Sequence, residues 1–314
     1  MAQLPVPSQS SRLTRDLTLT GPSATKIPKL IYGTAWKKER TADLVYDALK
    51  SGFRGVDTAA QPKHYNEQGV AAGVKRAVAE GIVQRRDVFI VHQVQTKFTA
   101  PGGQNHNTPY DLNAPCVDQV HQSIRSSLDN FTMQDGQEPY LDSLVLHAPM
   151  DTLQDTLTVW KALESYTPKQ IRTLGISNTT LPILEALYSN MAIKPSIVQN
   201  RFFDGTDYEV GIRAYCREKG IVFQSFWTLS SNAALVESEP VKSVAQNAGV
   251  DVVAAYYALV LGLESLAVLD GTTDQSHMEQ DLTGVEKVGV WAEGAGVSEW
   301  TLALASFKAL IGDK

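Results

Sequence analysis

Three ionisable side chains of different kinds, Asp57, Lys97 and His147, each close a short apolar run, and Tyr65 lies in a polar stretch eight residues past Asp57. Brought together, they could move a proton. A carboxylate beside a lysine keeps the ammonium charged, and that ammonium lowers the pKa of a neighbouring phenol. A phenol tuned in this way can give its proton to a carbonyl oxygen, while His147 donates a hydrogen bond to the same atom. Such an acid is useful only where something delivers a nucleophile to the carbonyl carbon. Other apolar runs end in Gly33-Thr34-Ala35-Trp36, Ser177-Asn178, Gln199, Phe226 and Gly271-Thr272-Thr273. Amides at such ends have little reason to fill an apolar core.

These side chains meet only if the apolar runs are neighbouring strands that end at one face. Strand-length runs at 30–33, 53–58, 87–97, 141–147, 172–177, 196–201, 221–226 and 266–269 alternate with helix-length stretches at 41–51, 66–81, 115–131, 181–190, 208–219 and 241–263. A further helix carries Leu153, Leu157, Trp160 and Leu163 on one face. Strict alternation requires right-handed crossovers and a parallel sheet, and eight such units close into a (β/α)8 TIM barrel with its chemistry at the C-terminal strand ends. Residues 1–26 read as a tail with short strands, disordered over 1–11, and 27–314 as one barrel domain with extra helices at 274–282 and 298–310. The long polar loop at 99–114 follows the third strand, on the same face as the strand ends. Loops of that length are usually functional or disordered.

Composition narrows the function classes. The 314 residues carry 34 acidic against 28 basic groups, a net charge of −6 in scattered order, and 43% are hydrophobic. A core is thus available, disorder and coiled coil are excluded, and neither nucleic acid nor an anionic membrane is an expected partner. Cys116 and Cys216 form no CxxC pair and read as reduced thiols of a cytoplasmic protein. The start of the chain lacks the apolar core of a secretory signal, and the longest apolar run, 252–263, is too short to cross a bilayer. No HExxH or EF-hand spacing occurs, so no metal is expected. The missing GxGxxG and Walker A sequences count against a Rossmann or P-loop site, but not against cofactor binding in a barrel.

Over about 27–282 the chain resembles the aldo-keto reductases, (β/α)8 enzymes that reduce carbonyls with NAD(P)H, and the motifs arrive in family order. Gly33-Thr34-Ala35-Trp36, Asp57-Thr58-Ala59, Tyr65-Asn66-Glu67, Thr96-Lys97, Leu146-His147-Ala148-Pro149, Gly175-Ile176-Ser177-Asn178 and Val198-Gln199-Asn200 carry the likeness. The resemblance implies Tyr65, Lys97, Asp57 and His147 as the catalytic tetrad. It implies Gly33, Thr34, Asp57, Ser177, Asn178 and Gln199 as cofactor contacts, with Phe226 stacked on the nicotinamide and Trp227, Thr228 and Leu229 beside it. Gly271, Thr272, Thr273, His277, Gln280 and Asp281 would take the adenosine end, and Trp36, Tyr65, Phe98 and His147 the carbonyl substrate. Gln61-Pro62-Lys63-His64 resembles a fungal and plant branch; counting back from Glu67 would put His64 in the tyrosine's place, and Tyr65 is preferred. His277 stands near the place of an arginine that holds the 2′-phosphate, and histidine is the weaker partner. The implied cofactor is NADPH, with NADH the alternative. The implied activity is reduction of an aldehyde or ketone, set against a regulatory or biosynthetic protein with little net redox turnover.

Overall fold

The computed structural model describes residues 9–94, 108–133 and 136–313. Two short strands, β1 (Leu17–Thr18) and β2 (Lys26–Ile27), pair antiparallel ahead of the first barrel strand. Eight parallel strands follow: β3 (Leu30–Gly33), β4 (Gly55–Ala59), β5 (Phe89–Val94), β6 (Leu141–Leu146), β7 (Ile171–Ser177), β8 (Ile197–Arg201), β9 (Val222–Phe226) and β10 (Leu266–Asp270). They hydrogen-bond in chain order, and β10 pairs back onto β3, closing the barrel. The eight-strand TIM barrel expected from the sequence is therefore the observed fold.

Parallel strands covered on both faces read as unbroken apolar runs, and the period of two decides which residue faces which layer. Ile31, Phe89, Val91, Val145, Ile197, Val222 and Ala267 point inward and pack together, with Leu19 and Ile27 from the amino-terminal hairpin completing the cluster. The hairpin thus plugs the barrel. Their strand neighbours Tyr32, Val56, Ile90, Leu144, Leu174, Val198 and Val268 face the helices. Glycine is needed where the inside is tightest, since a Cβ on Gly175 would lie 2.8 Å from the Ile197 carbonyl oxygen. Below the strands, Asp142 binds Arg85 at 3.0 Å and Arg172 at 2.9 Å.

The helices are α1 (Thr41–Ser51), α2 (Glu67–Ala79), α3 (Cys116–Asn130), α4 (Leu153–Glu164), α5 (Leu181–Asn190), α6 (Val210–Lys219), α7 (Ala233–Val236), α8 (Glu239–Ala248), α9 (Val252–Leu261), α10 (Gln275–Glu293) and α11 (Val297–Leu310). Three expectations change, the first being that the helix expected at 274–282 runs on to Glu293 as α10. The single helix at 241–263 is two, α8 and α9, meeting at 110°; Gly249 closes the first with φ 64° and Asp251 caps the second through Val253 N. The end of the expected disordered tail is bound, because Ser10, Ser11 and Thr14 all donate to the Glu286 carboxylate of α10. Burial pushes the Glu286 carboxyl up, but those bonds together outweigh it and hold it down at about 2. Among the described residues no single helix is long and apolar enough to cross a membrane, and neither Cys116 nor Cys216 is in a disulfide.

Candidate functional site

The C-terminal strand ends surround a cavity of about 860 Å³, a size typical of small-molecule and cofactor sites. Asp57, third residue of β4, is 1% exposed at its floor. Gln199 of β8 donates from Nε2 to Asp57 Oδ1 at 2.8 Å. Gln93 of β5 donates from Nε2 to Gln199 Oε1 at 2.6 Å and meets His147 Nδ1 through Oε1 at 2.5 Å. The Gln93 amide also lies close enough to Asp57 and Tyr65 to pull both of their pKa values down. One amide therefore adjoins Asp57, Tyr65 and His147, three of the four groups expected to handle the proton.

Desolvation dominates the titration of this cluster. Burial pushes the Asp57 carboxyl up to about 7, against the hydrogen bonds from Gln199 and Gln93 and the proximity of His92. Burial and then the Asp57 carboxylate push the Tyr65 phenol upward, with the Gln93 hydrogen bond opposing them. Burial, then His64 and Arg201, push the His147 imidazole down to about 4. His147 is thus neutral at neutral pH.

Local structure explains how Tyr65 reaches the site. The amides of His64 and Tyr65 both donate to the Gln61 carbonyl, and Asn66 then caps α2 by accepting from Gly69 N at 2.9 Å. This tight turn turns Tyr65 toward Asp57, while the His64 ring packs on Trp36 with centroids 4.2 Å apart. Both side chains line the cavity.

At the β7 and β8 ends, Ser177 Oγ donates to Gln199 O at 2.6 Å. Asn178 donates from Nδ2 to His147 O at 2.8 Å and accepts at Oδ1 from Arg201 at 2.8 Å. The Arg201 guanidinium lies 5.1 Å from the centroid of the Phe226 ring and 4.6 Å from that of Trp227. Phe226, Trp227, Thr228 and Leu229 form the adjoining wall.

Gly33, Gly271, Thr272, His277, Gln280 and Asp281 line the cavity where α10 begins. The Asp274 carboxylate already takes Ser276 N at 2.8 Å and His277 N at 3.4 Å, and Asp281 is pushed up by burial and by the Asp270 charge. Lys37 touches the Gly271 carbonyl and lines the same cavity. This end mixes carboxylates with one lysine rather than presenting a purely basic clamp.

Two expected contacts fall elsewhere. Thr34 is fully buried and spends its hydroxyl on the Asp57 carbonyl at 2.7 Å, so it does not line the cavity. Thr273 is exposed beside it, its carbonyl facing Arg40. Lys97 and Phe98, with residues 99–107 of the long loop, lie outside the described residues, and β5 is described over Phe89–Val94 rather than 87–97. Reading only the last residue of each run passed over Gln93, Arg201 and Lys37. The available signal was strand alternation, which puts Gln93 inward two residues after Val91.

The sequence profile described as the aldo/keto reductase family matches residues 29–305. An NAD(P)H-dependent D-xylose reductase of Pachysolen tannophilus is 27% identical over 199 residues, covering 55% of each chain. The glyoxal reductase of Bacillus subtilis is 29% identical over 201 residues, covering 63% of this chain and 61% of the relative. The chain thus spans between half and two thirds of the length of these two relatives. Among solved structures, a Bombyx mori aldo-keto reductase in complex with NADP superposes with a TM-score of 0.68 at 19% identity, over 89% of this chain and 92% of that one. The barrel is common to both, and with a profile that spans nearly the whole of it, this chain belongs to the aldo/keto reductase family.

Proposed function

We propose that this protein is a cytoplasmic NADP(H)-dependent reductase that converts a small aldehyde or ketone to an alcohol. One observation carries the reading: Asp57, Tyr65 and His147 share a single cavity with Gly271, Thr272 and the first turns of α10. The donor set fits a nicotinamide dinucleotide, with Ser177, Asn178 and Gln199 for the carboxamide, Phe226 for the ring face, and Lys37, His277 and Gln280 for the far end. When bound, that cofactor supplies hydride to the carbonyl carbon. Tyr65 gives its proton to the carbonyl oxygen, so the substrate gains one hydride and one proton and leaves as the alcohol. Lys97 is the ammonium assigned to lower the Tyr65 pKa, and Asp57 the carboxylate assigned to hold that charge. Trp36 and Phe98 are the proposed walls against the substrate. The relatives' printed substrates, D-xylose and glyoxal, point to small polar aldehydes.

Tyr65→Phe tests the assignment. Turnover should fall by about a hundredfold or more, the usual worth of a general acid, while NADPH affinity measured by fluorescence stays close to wild type. A variant that keeps full turnover overturns the role of Tyr65 and moves it to His64. NADH is a second reading for the cofactor, favoured by the Asp270 and Asp281 carboxyls that line the cavity with His277. The upward push on the Tyr65 phenol favours a second reading for activity, a cofactor-binding protein with little net turnover. NADPH oxidation against a panel of aldehydes and ketones separates these outcomes.

A further inference from the structure

Gln93 is 3% exposed, and its amide is surrounded by groups whose hydrogen-bonding sense is not free. At pH 8 Asp57 is ionised, and an ionised carboxylate only accepts. Gln199 must therefore offer Nε2 to Asp57 Oδ1 at 2.8 Å, which leaves its Oε1 for Gln93. Gln93 must in turn offer Nε2 to that oxygen at 2.6 Å, which turns its own Oε1 to His147 Nδ1 at 2.5 Å. The Asp57 carboxylate beside Gln93 also calls on its donor end, while the Tyr65 phenol can donate or accept and so leaves that direction unchanged. The carboxylate, Gln199 and His147 set the amide the same way round.

We propose that Gln93 is a positioning residue that passes the hydrogen-bond direction set by Asp57 through Gln199 to His147, holding the imidazole as its Nδ1–H tautomer with Nε2 as an acceptor. The inference deepens the reductase reading and rests on it for its consequence at the substrate. With Nε2 an acceptor, His147 takes a hydrogen bond from a hydroxyl beside the carbonyl, and Tyr65 alone donates to the carbonyl oxygen. The substrate class this selects is a hydroxyaldehyde or hydroxyketone. This replaces the role expected from the sequence, in which His147 donated to the carbonyl oxygen. The imidazole is neutral because burial, His64 and Arg201 all disfavour its charge, so one ring nitrogen must carry a lone pair.

The tautomer can be read without cofactor or substrate. Two-bond ¹H–¹⁵N correlation spectra of histidine-labelled protein at pH 8, with the His147 signals assigned by their loss in His147→Gln, should show Nδ1–H in the wild type. Gln93→Leu removes the acceptor, and the ring should move to the Nε2–H form. Gln93→Glu restores an acceptor and should restore Nδ1–H. Asp57→Asn, whose amide can donate or accept, should give both tautomers and serves as a second variant where Gln93→Leu fails to fold. A wild-type Nε2–H ring, or a Gln93→Leu spectrum unchanged from wild type, overturns the proposal. The ratio of kcat/KM for glycolaldehyde over acetaldehyde should fall several-fold in Gln93→Leu, and an unchanged ratio overturns the substrate half. Because the spectra need no turnover, failure of the reductase reading leaves them standing, and failure of the relay leaves Tyr65→Phe to be judged separately.

Discussion

Replacing Asp57 by Asn should make the protein more stable at high pH and no different at low pH. Asp57 is 1% exposed and accepts from Gln199, and burial still moves its carboxyl from an ordinary 3.8 to about 7. One pKa unit corresponds to about 1.4 kcal/mol. Ionising this group in the folded state, rather than in the unfolded chain, therefore costs on the order of 4 kcal/mol. The sign follows from proton counting. Between about pH 4 and 7 the folded state holds a proton that the unfolded state has lost, so wild-type stability falls as pH rises, by about 1.4 kcal/mol per unit, and levels off above 7. Asn keeps an oxygen for Gln199 Nε2 and carries no charge. Urea unfolding followed by tryptophan fluorescence, at pH steps from 4 to 8, gives the difference between the two proteins directly. Groups that titrate alike in both cancel. A gap that does not change with pH, or a variant less stable than wild type at pH 8, refutes the reasoning. The same substitution should depress turnover, since a carboxylate held charged in a dry site has a stability cost that only function repays.

Two further substitutions probe other links in the chain. Asp142→Ala removes the carboxylate that holds Arg85, itself 7% exposed, together with Arg172; the uncompensated buried guanidinium should cost about 3–5 kcal/mol, read as a lower urea midpoint, and a loss within error would mean that Arg85 finds other partners. His277→Arg puts a permanent cation at the start of α10, beside the cavity, and should tighten NADPH binding about fivefold, the upper value for an exposed pair, leaving NADH unchanged in titrations monitored by fluorescence. Equal gains for both cofactors would place the 2′-phosphate away from residue 277.

The barrel is legible because its strands are short, mostly apolar runs between polar loops, close to the pattern that burial on both faces imposes. Expected and observed limits agree for 30–33, 41–51 and 181–190. Where the pattern continues through a break, reading it failed. Apolar residues recur on both sides of Gly249-Val250-Asp251, which reads as one helix, although a glycine followed two residues later by an aspartate is a stop and a start in close succession. In β5 the polar pair His92-Gln93 sits between Val91 and Val94 and nothing there marks where the strand ends, so the run reads on to Lys97 and hides Gln93 as a site residue. The docking of Ser10 and Ser11 on Glu286 joins residues some 275 positions apart, and no local pattern encodes such a contact.

What the sequence conceals most is how much hydrogen-bonding capacity each polar residue has left. Ser177, Asn178 and Gln199 look equivalent as amide-binding groups at strand ends, yet their remaining capacities differ. Ser177 has spent its one hydrogen on Gln199 O and can now only accept. Asn178 directs Nδ2 to His147 O and to Ser177 Oγ, the latter at 3.1 Å, and receives Arg201 at Oδ1; it too has only acceptor capacity left. Gln199 has used one Nε2 hydrogen on Asp57 and one Oε1 lone pair on Gln93, so it keeps one donor and one acceptor. A carboxamide offers two N–H donors and one carbonyl oxygen. The N–H groups match Ser177 and Asn178, and of these three residues the carbonyl oxygen can be served only by Gln199. Gln199→Glu, which retains the acceptors and removes that donor, should therefore weaken NADP⁺ binding, measured by fluorescence titration, more than Asn178→Asp does, because the aspartate keeps the acceptor that Asn178 has free. If Asn178→Asp proves the more damaging, the carboxamide is held the other way round and the capacity argument fails.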